Sequence, residues 1–209
     1  MKIKLLGVTQ ALLLALVILT GAIAVPILFR PFFYWHIGPL DLPELTGLSA
    51  AEIKTAYKEM LDYCIGLSDR FSVGVLPFSE SGAAHFADVR RLFALDLWVL
   101  AISAVLLAGS YFLKKQPRLG GHTPGFWSTI GLGVSIVTVG GLAALDFERA
   151  FEVFHKLFFP GQDNWMFSSY EDPVIDMLPV EFFRNCAIVI FAIILISCTA
   201  LLIWDKKKK

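Results

Sequence analysis

Charged residues are scarce in this chain of 209 residues, and neither sign prevails. They make up 17% of the sequence, and Lys+Arg and Asp+Glu each total 18. A soluble domain carries about 25% charged residues, whereas apolar residues make up 56% of this chain. The composition therefore predicts burial in lipid, and the neutral balance gives no support to a nucleic-acid partner.

Cysteine is also sparse, and the motifs of several enzyme classes are missing. Cys64, Cys186 and Cys198 have no paired spacing, so neither a disulfide framework nor a zinc motif is predicted. No HExxH or CxxC pattern places a metal site. A GxSxG motif is absent too, which leaves serine hydrolase chemistry without support. We predict no metal and no cofactor.

What the sequence does have is four long apolar runs, at about residues 5–29, 92–113, 126–145 and 185–204. Each has roughly the 20 residues that cross a bilayer as a helix. The first run is longer than the apolar region of a signal peptide, about 7–15 residues, so we interpret it as a retained transmembrane helix. Pro26 predicts a kink or an end of that helix.

Basic residues indicate the orientation of these spans. Lys2 and Lys4, the cluster Lys114–Arg118 and the C-terminal Lys206–Lys209 all fall on one side of a four-span topology. The positive-inside rule makes that side, with both termini, cytoplasmic.

The remaining polar segments, about residues 30–91 and 146–184, then lie on the outer face. The sequence predicts an all-α integral membrane protein: one membrane domain over residues 1–209, with four transmembrane helices and a small extracellular cap formed by the first and third loops. Glycines 131, 133, 140 and 141 in the third span predict close helix packing in lipid.

A surface helix is predicted inside the first of these segments. Ser49 and Glu52 form a capping box, and Gly66 is a natural stop after the helix. Between them an apolar stripe recurs at helical spacing, which indicates an amphipathic helix that lies on the membrane or in the cap. The stripe consists of Ile53, Ala56, Tyr57, Met60, Leu61 and Cys64.

Ionisable residues cluster where the second span begins. If Ser81 caps this helix, His85 lies in its first turns and Asp88 one turn later, where a carboxylate reaches an imidazole and fixes its tautomer. Arg90 and Arg91 follow. They are read either as contacts to lipid phosphates or as a clamp on a substrate carbonyl or phosphate.

A second histidine lies in the other outer segment. If the third span continues as a helix beyond Leu145, Glu152 and His155 share one face of it. His36 is also on the outer side, whereas His122 is predicted to be a solvated residue of a cytoplasmic loop. Residues 163–167 and 172–173 are read as turns.

Aromatic residues surround both histidines in sequence, among them Phe86, Phe154 and Trp165. They are typical of an interfacial belt, or they wall a pocket. Two histidines at the outer membrane edge, without metal motifs, suit general acid–base catalysis of acyl transfer to an amine. The alternative is a non-catalytic membrane partner or sensor whose histidines are packing residues. Asp96 alone favours an ion or solute carrier, and the absence of an inverted repeat argues against it.

The segments Ala84–Arg90, Phe154–Phe159 with Asn164-Trp165, and Leu178–Phe183 resemble the lipoprotein intramolecular transacylase (Lit) family of Gram-positive bacteria. The resemblance extends over the whole chain and rests on the order and placement of short motifs. It implies an acyltransferase that needs neither metal nor cofactor and works in the bacterial cell membrane at its extracellular face.

The implied substrate is a diacylglyceryl-modified lipoprotein held in membrane lipid. Its sn-2 acyl chain moves to the amino group of its own N-terminal cysteine, which produces a lyso-form lipoprotein. The implied catalytic residues are His85 and His155. We expect His85, backed by Asp88, to be the base and His155 to stabilise the oxyanion and return the proton; the resemblance also allows the reverse.

Overall fold

The computed structural model describes residues 2–112 and 117–208, and over these residues the chain is helical, without a β-strand. The helices are α1 (Lys2–Leu28), α2 (Pro31–Tyr34), α3 (Leu42–Thr46), α4 (Ala50–Cys64), α5 (Glu80–Tyr111), α6 (Pro124–Ser135), α7 (Gly141–Leu145), α8 (Phe147–Phe158), α9 (Val174–Met177) and α10 (Val180–Lys208), and a π-helical segment, Ile136–Gly140, joins α6 to α7.

Four helical stretches are long and apolar enough to cross a membrane: Lys4–Leu28, Glu80–Tyr111, Pro124–Leu145 and Val180–Lys208. The predicted all-helical class is confirmed, and so are four apolar helices able to cross a membrane. The helix of the second span begins at Glu80 rather than near residue 92, and its 32 residues make it about 48 Å long. The predicted end of that span at residue 113, and lysines 114, 115 and 209, lie outside the described residues.

One compact unit consists of Met1–Val25, Asp96–Leu145 and Ile188–Lys209. Its buried apolar cluster contains Ala22, Leu132, Ile194 and Cys198. Many large apolar side chains of the same helices are exposed, as lipid-facing residues are.

The predicted role of the third-span glycines is correct at one position only. A Cβ on Gly140 would lie 3.4 Å from the Phe191 ring, so the two helices approach closely there, whereas Gly131, Gly133 and Gly141 face nothing within 4 Å. A second close approach in this span is at Gly125, where a Cβ would lie 3.0 Å from the Leu201 side chain.

His122 belongs to this unit, and its predicted role as a solvated residue is wrong. Its Nδ1 lies 2.8 Å from the carboxylate of Asp205, and its ring stacks on Phe126. Asp205 is buried and also accepts the backbone N–H of Thr123. The imidazole therefore helps to satisfy a buried carboxylate, which would otherwise be costly to desolvate.

The second compact unit consists of Pro26–Leu95 and Asp146–Ala187, so it combines segments of the first and third loops. The capping box of Ser49 and Glu52 is present, and the whole predicted stripe of α4 is buried. Gly66 follows that helix with φ +80°, a conformation that glycine adopts without a Cβ clash.

Aromatic stacking joins the loops of this unit. The rings of Phe33 and Tyr57 are parallel with centroids 3.7 Å apart, and Phe33 meets Phe182 edge-on at 5.2 Å. Val174 and Met177 of α9 are fully buried. Burial of apolar area of this kind stabilises a fold by about 25 cal/mol per Å².

Candidate active site

His85 lies in the second turn of α5, and the start of that helix differs from the prediction. Ser79, not Ser81, caps it, because the Ser79 hydroxyl accepts the N–H of Gly82 at 2.9 Å. The buried carboxylate of Asp172 accepts both the N–H and the hydroxyl of Ser79, at 2.8 and 2.7 Å. A residue of the third loop therefore holds the helix start that carries His85.

Gly82 makes this contact possible. A Cβ at this position would lie 2.2 Å from the Asp172 carboxylate, far inside van der Waals contact. Asp172 was interpreted from sequence as part of a turn, and no local signal connects it with Ser79, 93 residues earlier.

His155 lies in the last turn of α8, which is not a continuation of the third span. Helix α7 ends at Leu145, and Asp146 is extended and caps a new helix by accepting the N–H of Arg149 at 2.9 Å. The Nδ1 of His155 lies 2.8 Å from the carbonyl oxygen of Phe151. Because that oxygen only accepts, Nδ1 carries the hydrogen, and in the neutral ring Nε2 has the lone pair.

The structure brings His85 and His155 together inside the second unit. Their ring centroids are 5.8 Å apart with an interplanar angle of 33°, and they are only 5% and 8% exposed. Burial holds the pKa of His155 below its ordinary value of 6.5, because the charged ring is poorly solvated there; the hydrogen bond to Phe151 partly offsets this.

Aromatic side chains enclose the pair. Rings surround His85 at centroid distances of 5.0 to 5.8 Å, and they belong to Phe86, Phe159 and Phe167. Around His155 are Phe151, Phe154 and Trp165, of which Trp165 stacks on the imidazole at 4.7 Å. The predicted Phe86, Phe154 and Trp165 thus wall the site.

Asp88 does not contact His85 in the way the spacing suggested. Its carboxylate accepts the guanidinium of Arg91 at 2.8 Å, and its other oxygen lies 3.5 Å from Nδ2 of Asn164. Asn164, interpreted from sequence only as a turn residue, is therefore a partner of Asp88 from the third loop. The only sequence feature that could have indicated a role for Asn164 in the site is its position next to Trp165.

Arg90 and Glu152 are engaged away from the histidines. Arg90 donates to the carbonyl of Ser68 and to Asp69, both at 3.0 Å, and lies over the ring of Tyr63, so it ties α5 to the segment after α4. Glu152 pairs with Lys156 on the exposed face of α8, which leaves His155 without the acidic neighbour that the sequence suggested.

Other polar candidates lie apart from the pair. The Nδ1 of His36 is 2.6 Å from the carbonyl of Phe32, in a different aromatic cluster with Phe182. Within residues 2–112 and 117–208, no three His, Cys, Asp or Glu side chains are grouped so that they hold a metal ion.

A cavity of about 320 Å³ is lined in part by Phe159. Phe159 contacts both imidazoles and also lines the cavity. The remaining lining residues are Asp88, Arg91, Leu92, Leu95, Phe158, Pro160 and Gln162. The lining therefore combines apolar side chains with a few polar and charged ones, a composition typical of ligand sites.

Chemically, the pair offers two imidazoles at short range inside an apolar enclosure. Such a pair transfers protons to and from a reacting group without any change in oxidation state. Exclusion of water by the aromatic walls strengthens the electrostatic interactions of an imidazolium with a developing negative charge.

Comparisons with known proteins agree with this architecture. The family model of the lipoprotein intramolecular transacylase Lit matches residues 8–183. The membrane integral Lit structure from Bacillus cereus aligns with a TM-score of 0.86 and 28% identity, over 99% of this chain and 97% of that chain. Its form with an H85A mutation aligns with a TM-score of 0.81 and 26% identity, over 99% and 94%.

A curated relative is an uncharacterized protein of Aquifex aeolicus (strain VF5), 28% identical over 117 residues. The match includes 56% of this chain, and the chain spans half the length of that relative.

Proposed function

This chain belongs to the lipoprotein intramolecular transacylase (Lit) family, and we propose that it is a membrane acyltransferase acting on diacylglyceryl-modified lipoproteins. The sn-2 acyl chain moves to the α-amino group of the lipoprotein's own N-terminal cysteine, and the product is a lyso-form lipoprotein. Donor and acceptor belong to one molecule, so the reaction needs no separate acyl donor. The observation that carries the proposal is the buried pair His85 and His155 in its aromatic enclosure.

The proton inventory suits two neutral imidazoles. The substrate ammonium loses one proton before it attacks and a second as the C–N bond forms, and the glycerol oxygen gains one as the C–O bond breaks. We assign the first proton to Nε2 of His155. The resulting imidazolium stabilises the oxyanion and then protonates the leaving alkoxide.

His85 takes the second proton, as the general base of the attack. One proton is released overall, because an ammonium and an ester become an amide and an alcohol. The enclosure contributes by holding the amine and the ester of one molecule in a reactive orientation, which lowers the entropic part of the activation free energy.

We place the site at the extracellular interface of the bacterial cell membrane, with both termini cytoplasmic. Lys4, Arg118 and Lys206–Lys208 support this orientation through the positive-inside rule. The mixed apolar and charged lining of the cavity that includes Phe159 supports a substrate that is part lipid and part polar.

The test is expression of the full chain in a bacterium that lacks N-acylation of lipoproteins, followed by mass spectrometry of the lipoprotein N-termini. We expect an acyl chain on the cysteine nitrogen and one acyl chain left on the glycerol, unaffected by chelators. N-termini that keep a free amine would overturn the proposal.

His85→Ala and His155→Ala are each expected to abolish the transfer, because each removes a proton acceptor. His36→Ala is the matched control, since His36 lies on the same predicted outer side but in another cluster. Transfer that persists in both site variants would exclude the two-histidine mechanism while leaving the acyltransferase assignment intact.

A further inference from the structure

Two buried polar atoms of the second unit have no hydrogen-bond partner among the described residues: Nδ1 of His85 and Oδ1 of Asn164. Two contacts place Asn164 beside His85. Its Nδ2 is 3.5 Å from the carboxylate of Asp88, one helical turn after His85, and the ring of Phe167, three residues after Asn164, packs against the imidazole at 5.4 Å. Buried polar atoms in folded proteins are nearly always paired. Two unpaired atoms on neighbouring side chains therefore indicate that each is the partner of the other.

The orientation of the Asn164 amide follows from Asp88. Nδ2 of Asn164 is 3.5 Å from a carboxylate oxygen of Asp88, and a carboxylate only accepts hydrogen bonds. The NH₂ group therefore belongs on the Asp88 side, which leaves Oδ1, a pure acceptor, for His85. A nitrogen that faces an acceptor must carry a hydrogen.

We propose that Asn164 is a positioning residue that holds His85 in the Nδ1–H tautomer and so leaves Nε2 as its proton-accepting atom. Asp88 acts through Asn164: it orients the amide, while its other oxygen is held by Arg91. The role of His85 Nε2 as a proton acceptor in catalysis rests on the proposed function. The assignment of the Nδ1–H tautomer does not depend on that function.

His155 has the same tautomer for a different reason: its Nδ1–H donates to the backbone carbonyl of Phe151. Both histidines then present a lone pair on Nε2, as the proton inventory of transacylation requires. The charged or titratable groups that face His85 are Asp88 and His155.

The experiment is ¹⁵N NMR of the full chain with ¹⁵N-labelled histidine, in detergent and without substrate. Resonances are assigned with His85→Gln and His155→Gln. We expect the neutral His85 ring to be protonated at Nδ1 in the unsubstituted protein. In Asn164→Ala we expect it to be a mixture of both tautomers or protonated at Nε2. His155 serves as the internal control for folding, because its Nδ1–H is held by the backbone.

Asn164→Asp tests the acceptor and the donor of the Asn164 amide separately. It keeps an acceptor for His85 but removes the donor to Asp88, so the Nδ1–H tautomer of His85 is expected to survive. Asp163→Ala, a substitution of the exposed neighbouring residue, is the matched control and leaves the tautomer unchanged. If Asn164→Ala does not fold, the unsubstituted protein and Asn164→Asp decide the question.

An Nε2–H His85 in the unsubstituted protein would overturn the proposal, and so would an unchanged tautomer in a folded Asn164→Ala. With activity as the second measurement, kcat of Asn164→Ala is expected to fall roughly 10-fold or more with KM little changed, because general-base catalysis is impaired. Failure of the transacylase assay alone would affect the proposed function and not this assignment.

Discussion

At the scale of single residues, the chemistry of the site depends on which ring nitrogen of each histidine carries a hydrogen. The carbonyl of Phe151 determines this for His155 at a distance of 2.8 Å. Burial then favours the neutral ring, because an imidazolium loses hydration inside the aromatic enclosure. The sequence identifies His155 as a candidate, but the Phe151 carbonyl and burial make it a proton acceptor.

The lowered pKa of His155 predicts the acid side of the pH profile. Because both histidines must be neutral at the start of the cycle, kcat/KM should rise with pH, and the rise controlled by His155 should be centred below its ordinary pKa of 6.5. His36→Ala should give the same profile. An acid limb centred above pH 6.5 would contradict the burial argument.

The same shift has a consequence for stability. The unfolded chain binds a proton at His155 more readily than the folded one, so stability rises with pH through this range and is lost as pH falls below about 6.5.

At the scale of elements, the start of α5 is where the first and third loops are joined by hydrogen bonds. Asp172 binds the capping residue Ser79, and the helix then delivers His85 two turns further on. A separate helix, α8, delivers His155, because the third span stops at Leu145 and Asp146 caps a new helix.

Gly82→Ala tests the contact at the start of α5. Its Cβ would overlap the Asp172 carboxylate, 2.2 Å away, so Asp172 must move from Ser79. We expect a loss of about 1–3 kcal/mol in the free energy of unfolding, measured as a lower thermal midpoint in detergent, and a lower transacylation rate.

Gly38→Ala is the matched control in the same unit, because nothing lies within 4 Å of the position its Cβ would take. Equal midpoints for the two variants would show that Asp172 does not hold the start of α5.

At the scale of the whole molecule, the chain forms two compact units with different surroundings. One consists of span segments with many exposed apolar side chains, and the other joins the first and third loops. The histidine pair lies entirely in the second unit. The side of the membrane on which this unit lies is predicted by the lysines and arginines.

Thiol labelling in intact cells tests that orientation. Glu44→Cys and Lys208→Cys both introduce a cysteine at an exposed position. A membrane-impermeant reagent is expected to label Glu44→Cys in intact cells and Lys208→Cys only after lysis. The unsubstituted protein gives the background, since Cys64 and Cys198 are buried and Cys186 is half-buried. The opposite pattern would reverse the topology.

The sequence by itself determined the elements whose signals are local. Four apolar runs predicted the spans, and Ser49 with Glu52 predicted the start of α4 and its buried stripe, because a capping box and a 3.6-residue period act within a few turns. His85 and His155 were also identified from sequence, by their placement at span ends and by family resemblance.

Only the tertiary structure decided what those residues contact. Asp172 meets Ser79, Asn164 meets Asp88, and His122 pairs with Asp205, all through separations of 76 to 93 residues. Spacing along one helix suggested Asp88 for His85 and Glu152 for His155, yet nearer basic partners, Arg91 and Lys156, take those carboxylates. Hydrogen bonds between distant segments depend on how loops pack, and no local pattern encodes that packing.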